Sequence, residues 1–222
     1  MVRRATPGRP KASRKLSIDG PAGRLEALLD EPKQPASAVA VVCHPHPLHQ
    51  GTMRNKVVHT LARAFNELEL PVVRFNYRGV GASEGRYGDV VGETRDALAV
   101  VGWARHRWPG VDIWMGGFSF GAVVALRVAL ATEIAQLVTI APPVEQLEPG
   151  GGGQPDCPWL IVQGDRDEVV DCEAVVAWVN ELAPGPRLVV LEGVSHFFHG
   201  RLTELKETLV DILGKSGEDS DA

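Results

Sequence analysis

At 222 residues the chain is long enough for one sizeable hydrophobic core and short for two. Its 44% hydrophobic and 23% charged residues are those of an ordinary globular domain, and no stretch approaches the ~20 apolar residues needed to cross a bilayer. The charge is uneven: residues 1–15 carry six basic side chains (Arg3, Arg4, Arg9, Lys11, Arg14, Lys15) and no acidic one, so taking that +6 out of the net −5 leaves −11 on the rest, a poor surface for nucleic acid.

The basic stretch reads as a solvated tail, and Arg3-Arg4 is followed by no apolar segment of the kind an export signal needs. Cys43, Cys157 and Cys172 are odd in number, far apart and without a C-x-x-C, which fits reduced thiols in a cytoplasm. From residue 15 onward, strand-like and helix-like segments alternate. Residues 15–29 read as a hairpin with Asp19-Gly20 at its turn. ASAVAVVC (36–43) is a continuous apolar strand of the type buried on both faces. Thr52 is placed to cap a helix running to about Leu70, with Val57, Leu61, Phe65 and Leu68 as its buried stripe.

A strand over 71–77 precedes the glycine-punctuated RGVGASEG; a helix over 91–107 leads to a strand over 111–117 and an Ala/Val-rich helix from Phe120. Strands over 137–142, 158–164 and 187–193 follow, with helices near 172–183 and 200–213 and a polar tail, KSGEDSDA. This alternation predicts one α/β domain over 16–214, built on a mostly parallel twisted sheet with an N-terminal antiparallel hairpin and helices on both faces. Residues 1–15 and 215–222 are expected to be disordered tails. Chemistry is expected at the carboxyl ends of the strands.

Three of those ends carry suggestive residues. Gly117-Phe118-Ser119-Phe120-Gly121 is a G-x-S-x-G between a predicted strand and a predicted helix. A serine lifted above a sheet needs a sharp turn, and only very small residues two positions either side let strand and helix pass so closely. A serine hydroxyl also needs a base, itself oriented by a third group. QGDRDEVVD follows the strand 158–164 and GVSHFFHG the strand 187–193, giving the order serine, acid, histidine. Asp165, Asp167 and Asp171 are the acids on offer, and His196 and His199 the bases.

With these motifs in place, residues 16–214 resemble the α/β-hydrolase superfamily, as a small lidless serine esterase of its dienelactone-hydrolase-like branch with a serine nucleophile. The superfamily's acid motif G-x-x-D-x-x-V matches Gly164 to Val170 and implies Asp167; its G-x-x-H-x-F-like segment matches Gly193 to Phe198 and implies His196. The resemblance implies that His196 takes the Ser119 proton and passes it to the leaving group while Asp167 orients the imidazole. A serine at the elbow separates the chain from the dehalogenase and epoxide-hydrolase branches, which use Asp there.

VVCHPHPLHQG (41–51) carries three histidines, His44, His46 and His49, behind a strand. A zinc hydrolase is one reading, but the metallo-β-lactamase pattern H-x-H-x-D-H has a carboxylate where Leu48 stands here. The other reading follows from the resemblance: His44-Pro45-His46 replaces the superfamily's H-G-x, whose third residue donates its N–H to the oxyanion. Pro45 and Pro47 have no N–H, so His46 is the donor between them, with Phe120 as the second. His44 is then a structural histidine, and His49 faces solvent.

Only PVEQLEPGGGGQPDC (143–157) separates the strand 137–142 from the next, too short for a helical lid, which favours small or exposed acyl groups. Leu48, Tyr77, Arg78, Pro143, Val169 and Phe197 are the candidate pocket residues, with Arg78 read mainly as scaffold. The expected activity is hydrolysis of carboxylic esters or thioesters of small molecules through an acyl-enzyme, with no cofactor, nucleic-acid or membrane partner. A zinc hydrolase and a non-catalytic binding module are the alternatives.

Overall fold

The computed structural model describes residues 13–32, 37–147 and 153–216. Its frame is one sheet of eight strands in the order β1-β2-β4-β3-β5-β6-β7-β8. These are β1 (Arg14–Gly20), β2 (Gly23–Asp30), β3 (Ala38–Cys43), β4 (Val72–Phe75), β5 (Asp112–Phe118), β6 (Gln136–Ile140), β7 (Trp159–Gly164) and β8 (Arg187–Leu191). From β4 to β8 every neighbouring pair is parallel, while β2 runs antiparallel to both β1 and β4. The expected α/β architecture with an N-terminal antiparallel hairpin is therefore present. Runs such as AVAVVC and WLIVQG are buried at every position because helices cover both faces of the parallel part.

Five helices complete the fold: α1 (Lys56–Glu67), α2 (Val91–Arg107), α3 (Phe120–Ala131), α4 (Cys172–Asn180) and α5 (Leu202–Ser216). On one face Val57, Leu61 and Phe65 of α1 and Leu205, Leu209 and Leu213 of α5 pack into one apolar cluster with Val42 and Val138. On the other face Val100 of α2, Val124 and Val128 of α3 and Val175 of α4 pack with Val41, Met115 and Ile161. Alternate residues of each strand serve opposite layers, so a one-residue slip of register would exchange the two cores.

Several boundaries differ from the sequence reading for local reasons. The hairpin turn is Pro21-Ala22, with Asp19 paired to Arg24 and Gly20 to Gly23, because proline's fixed φ suits the second turn position. Asn55, not Thr52, caps α1: its Oδ1 accepts the Val57 and Val58 N–H groups at 2.8 and 3.4 Å, while the Thr52 hydroxyl accepts the Arg54 N–H one turn earlier. Arg14 and Lys15 lie in β1, and Lys215 and Ser216 in α5, so neither end of the domain falls where composition suggested. The rest of the two expected tails (1–12 and 217–222) and most of the four-glycine stretch lie outside the described residues.

The order of strands places the site. The chain leaves β3 toward β4, then crosses back to β5 on the other side of β3, so connections diverge at the carboxyl ends of β3 and β5. Such a switch point leaves a crevice where ligands bind in open α/β sheets. Cys43 pairs with Gly117 in register, which sets residues 44–46 beside residues 118–120.

Candidate active site

Ser119 stands between β5 and α3 with φ 55° and ψ −123°, a conformation that side chains rarely adopt. The turn is held by the Ser119 N–H donating to the Ile140 carbonyl at 2.8 Å. Its glycines are required by contact. A Cβ on Gly117 would come within 2.0 Å of the Gly121 carbonyl oxygen, and one on Gly121 within 2.4 Å of the Cys43 carbonyl oxygen and 2.6 Å of that of His44. The second clash involves β3, so Gly121 also sets how closely the elbow approaches the His44–His46 loop. Gln50, which shares the cleft with Ser119, also has positive φ, as do Ala141 and Phe198 in the loops after β6 and β8; strain of this kind is maintained at functional sites.

The loops after β7 and β8 bring an acid and a base to the serine. His196 Nε2 lies 3.1 Å from Ser119 Oγ, and His196 Nδ1 lies 2.8 Å from Asp167 Oδ2. With Nδ1–H donating to the carboxylate, Nε2 is free to accept the serine proton. His196 is 2% exposed and its ring centre stands 5.0 Å from that of Phe118.

Asp167 is saturated with donors. Oδ1 accepts the Val169 and Val170 N–H groups at 2.8 and 2.7 Å, and Oδ2 accepts from His196 and from Gln163 Nε2 at 3.1 Å. Burial raises its pKa, but the hydrogen bonds from His196 and from the Val170 and Val169 amides outweigh that and hold it below the ordinary carboxylate range.

The other acids and the second histidine have different tasks. Asp165 Oδ1 accepts the Gly193 N–H at 2.6 Å, tying the two loops together. Asp171 caps α4 through the Glu173 N–H at 3.0 Å, and His199 is exposed. Two supporting residues escaped the sequence reading. Glu168 Oε2 accepts the His196 N–H at 3.1 Å, fixing the histidine's main chain as Asp167 fixes its ring. Gln163, fully buried at the end of β7, orients the carboxylate; an amide inside an otherwise apolar strand was the available signal.

The histidine loop is organised around its backbone. His44 is buried, with Nδ1 2.7 Å from the Pro45 carbonyl oxygen and Nε2 accepting the Tyr77 N–H at 3.2 Å, so the ring is a neutral strut between the ends of β3 and β4. Its two nitrogens are both engaged, which leaves none to join His46 and His49 around a metal. His46 Nδ1 accepts the Leu48 N–H at 3.2 Å, and its ring packs 4.7 Å from Phe120. Gly51 lies beneath this loop: its N–H donates to the His46 carbonyl at 3.0 Å, and a Cβ there would meet the Pro45 carbonyl oxygen at 2.1 Å. The backbone N–H groups of His46 and Phe120 have no acceptor among the described residues and border the cleft beside Ser119.

Burial pushes His44 down to about 3, against a smaller opposing effect of its bond to Pro45. The folded state therefore keeps this ring neutral well below the ordinary histidine value near 6.5, where the unfolded chain takes up a proton. Between those values the unfolded state binds more protons, so stability falls as pH falls, by up to about 1.4 kcal/mol per pH unit for one full proton. Burial lowers His46 and His59 as well, so the slope is shared. Urea unfolding from pH 7 to pH 4 should show a shallower loss for His44→Gln than for wild type; parallel losses would contradict the assignment.

Ser119 and His196 open on a cleft of about 420 Å³, also lined by Pro45, His46, Phe120, Pro143, Val144, Val169 and Phe197. That is the size range of small-molecule sites. Pro143, Val169 and Phe197 thus lie where the pocket was expected, but three other candidates do not line it. Tyr77 is fully buried, its ring edge-on to Phe75 and Phe120 beneath the cleft floor. Arg78 is turned away, its guanidinium donating to both oxygens of the buried Asp96 at 2.9 and 2.7 Å. Leu48 is 68% exposed on the short turn 47–49 and points clear of the cleft. His49, expected in solvent, is exposed yet lines the cleft, together with Gln50 and Asn55.

Comparison with known proteins places the fold among known hydrolases. A family model described as "Serine aminopeptidase, S33" matches residues 34–150. A serine hydrolase homologue from Coxiella burnetii is 52% identical, with a TM-score of 0.87 over 90% of this chain and 97% of that one. XC6422 from Xanthomonas campestris, an α/β serine hydrolase without a lid, is 42% identical, with a TM-score of 0.85 over 92% and 94% of the two chains. The uncharacterised protein RP471 of Rickettsia prowazekii is 33% identical over 208 residues, 89% of this chain and 87% of that protein.

Proposed function

This chain belongs to the serine aminopeptidase S33 family of α/β hydrolases, and on that premise we propose that it cleaves carboxylic esters or thioesters of small molecules through an acyl-enzyme on Ser119. What carries the reading is the unbroken hydrogen-bonded chain Asp167–His196–Ser119 at the edge of the cleft. His196 Nε2 takes the hydroxyl proton as Ser119 Oγ attacks the carbonyl carbon. The carbonyl oxygen gains negative charge and is met by the unpaired N–H groups of His46 and Phe120, close to the N-terminus of α3. The same Nε2 then returns the proton to the departing alcohol or thiol. A water, deprotonated by His196 in turn, releases the acid and regenerates the serine.

Asp167 remains ionised through this cycle because its four donors favour the charged form, and it stabilises the imidazolium that each step creates. Supporting the ester reading is the cleft's mixed lining, apolar at Pro143, Val144 and Phe197 and polar at His46, His49 and Asn55. No helix among the described residues is long and apolar enough to cross a membrane.

The test is a panel of short-chain p-nitrophenyl esters, acyl thioesters and an aminoacyl anilide, assayed with wild type and Ser119→Ala. Turnover of esters or thioesters that is lost in the variant is the expected result. Turnover of the anilide alone would move the activity to peptide bonds, and no turnover of any class would favour a binding module.

A further inference from the structure

The two loops that supply acid and base share a construction that the triad does not require. Each carries an apolar doublet: Val169-Val170 directly after Asp167-Glu168, and Phe197-Phe198 directly after His196. In each doublet the second residue is buried and the first is presented outward. Val170 is 5% exposed and Val169 62%; Phe198 is fully buried and Phe197 41% exposed. Phe198 reaches the core only by adopting φ 53°, an outlier for a bulky residue, while the Asp167 carboxylate clamps the Val169 and Val170 N–H groups. Both outward residues line the cleft.

The reaction fixes what would lie against them. With the carbonyl carbon on Ser119 Oγ and its oxygen toward His46 and Phe120, the departing atom must stand within hydrogen-bond reach of His196 Nε2 to receive its proton. The rest of the leaving group then extends past the imidazole. The neighbour there is Phe197, its ring centre 5.0 Å from that of His196 at an interplanar angle of 86°. The carboxylates of these loops already hold N–H groups. Glu168 holds the His196 N–H, Asp165 the Gly193 N–H and Asp171 the Glu173 N–H, while both Asp167 oxygens are occupied. A hydroxylated leaving group would find few partners here, and an apolar one would cover two exposed side chains.

Resting on the ester-hydrolase reading, we propose that Val169 and Phe197 form a leaving-group subsite selecting esters of compact apolar alcohols or thiols, aryl-bearing or short-alkyl. In the acylation step the bond from Ser119 Oγ to the acyl carbon forms and the bond to the leaving oxygen or sulfur breaks. The proton lost by Ser119 ends on the leaving group, which departs across Phe197. Because every ester of one acid gives the same acyl-enzyme, this subsite acts on acylation, and its effect is read in kcat/KM.

The experiment compares methyl acetate with benzyl acetate, whose alcohols are of nearly equal acidity, and separately methyl acetate with methyl butyrate. Wild type should prefer benzyl over methyl acetate by on the order of 10–100-fold in kcat/KM. Phe197→Ala and Val169→Ser, on different loops, should each cut that ratio about threefold or more while the butyrate/acetate ratio moves less than about twofold. Equal rates on the two acetates, an unchanged ratio in both variants, or a change confined to the acyl ratio would each overturn the subsite. Labelling of Ser119 by a fluorophosphonate keeps the two readings separable. A labelled protein without leaving-group preference refutes the subsite alone, and an unlabelled, inactive one refutes the hydrolase reading beneath it.

Discussion

His196→Ala is expected to lower kcat by roughly 10⁴–10⁶ with the fold retained, and Ser119→Ala by a similar factor. The two losses should not add, because each removes one element of a single proton-transfer unit; the double variant should be no slower than about tenfold below either alone. Asp167→Asn should cost less than removing the base, on the order of 10⁴, since an amide can present N–H to Nδ1 and favour the wrong tautomer. His196 is 2% exposed, but its ring reaches the serine at the cleft edge, so truncation opens space next to the cleft and not in the deep core. Thermal unfolding of the variant measured beside its kinetics separates lost chemistry from lost structure. Residual activity within tenfold of wild type would remove His196 from the role of base.

His46→Pro carries the second large effect. The donor assigned to His46 is a backbone N–H, which ordinary side-chain replacement leaves in place. His46 has φ −53°, inside the range a proline ring imposes, so proline deletes the N–H with little change of backbone. His46→Ala is the matched control: it loses the same imidazole, with its contacts to Phe120 and Leu48, and keeps the amide. Loss of one oxyanion donor typically costs 10²–10³ in kcat, so His46→Pro should fall about that far below His46→Ala, with KM changed much less. Equal kcat for the two variants would take the His46 amide out of the oxyanion site.

Much of this site was legible because α/β topology turns sequence order into place. Continuous apolar runs marked the parallel strands, and the residues just beyond three of them became Ser119, Asp167 and His196. The resemblance pointed to an amide in the 44–46 stretch, and the prolines on either side of His46 left its N–H as the one donor between them. Side-chain direction was not legible. A strand buried on both faces has no polar alternation to show which way its end residues turn, so Tyr77, just past β4, was assigned to the cleft when it packs beneath it.

Pairings across long separations were equally hidden. Glu168 with the His196 N–H and Asp96 of α2 with Arg78 join residues 28 and 18 apart in the chain, which no local pattern pairs. The Asn55 cap and the Pro21-Ala22 turn were missed for a different reason. Several residues nearby had suitable propensity, and packing of α1 and of the hairpin chose among them.

If Ser119 is a nucleophile activated by His196, a fluorophosphonate should modify it selectively. Intact-mass and peptide mass spectrometry after such treatment should show one adduct per chain, on the peptide carrying Ser119, absent from Ser119→Ala and from heat-unfolded wild type. An adduct on another residue, or equal labelling of Ser119→Ala, would contradict it.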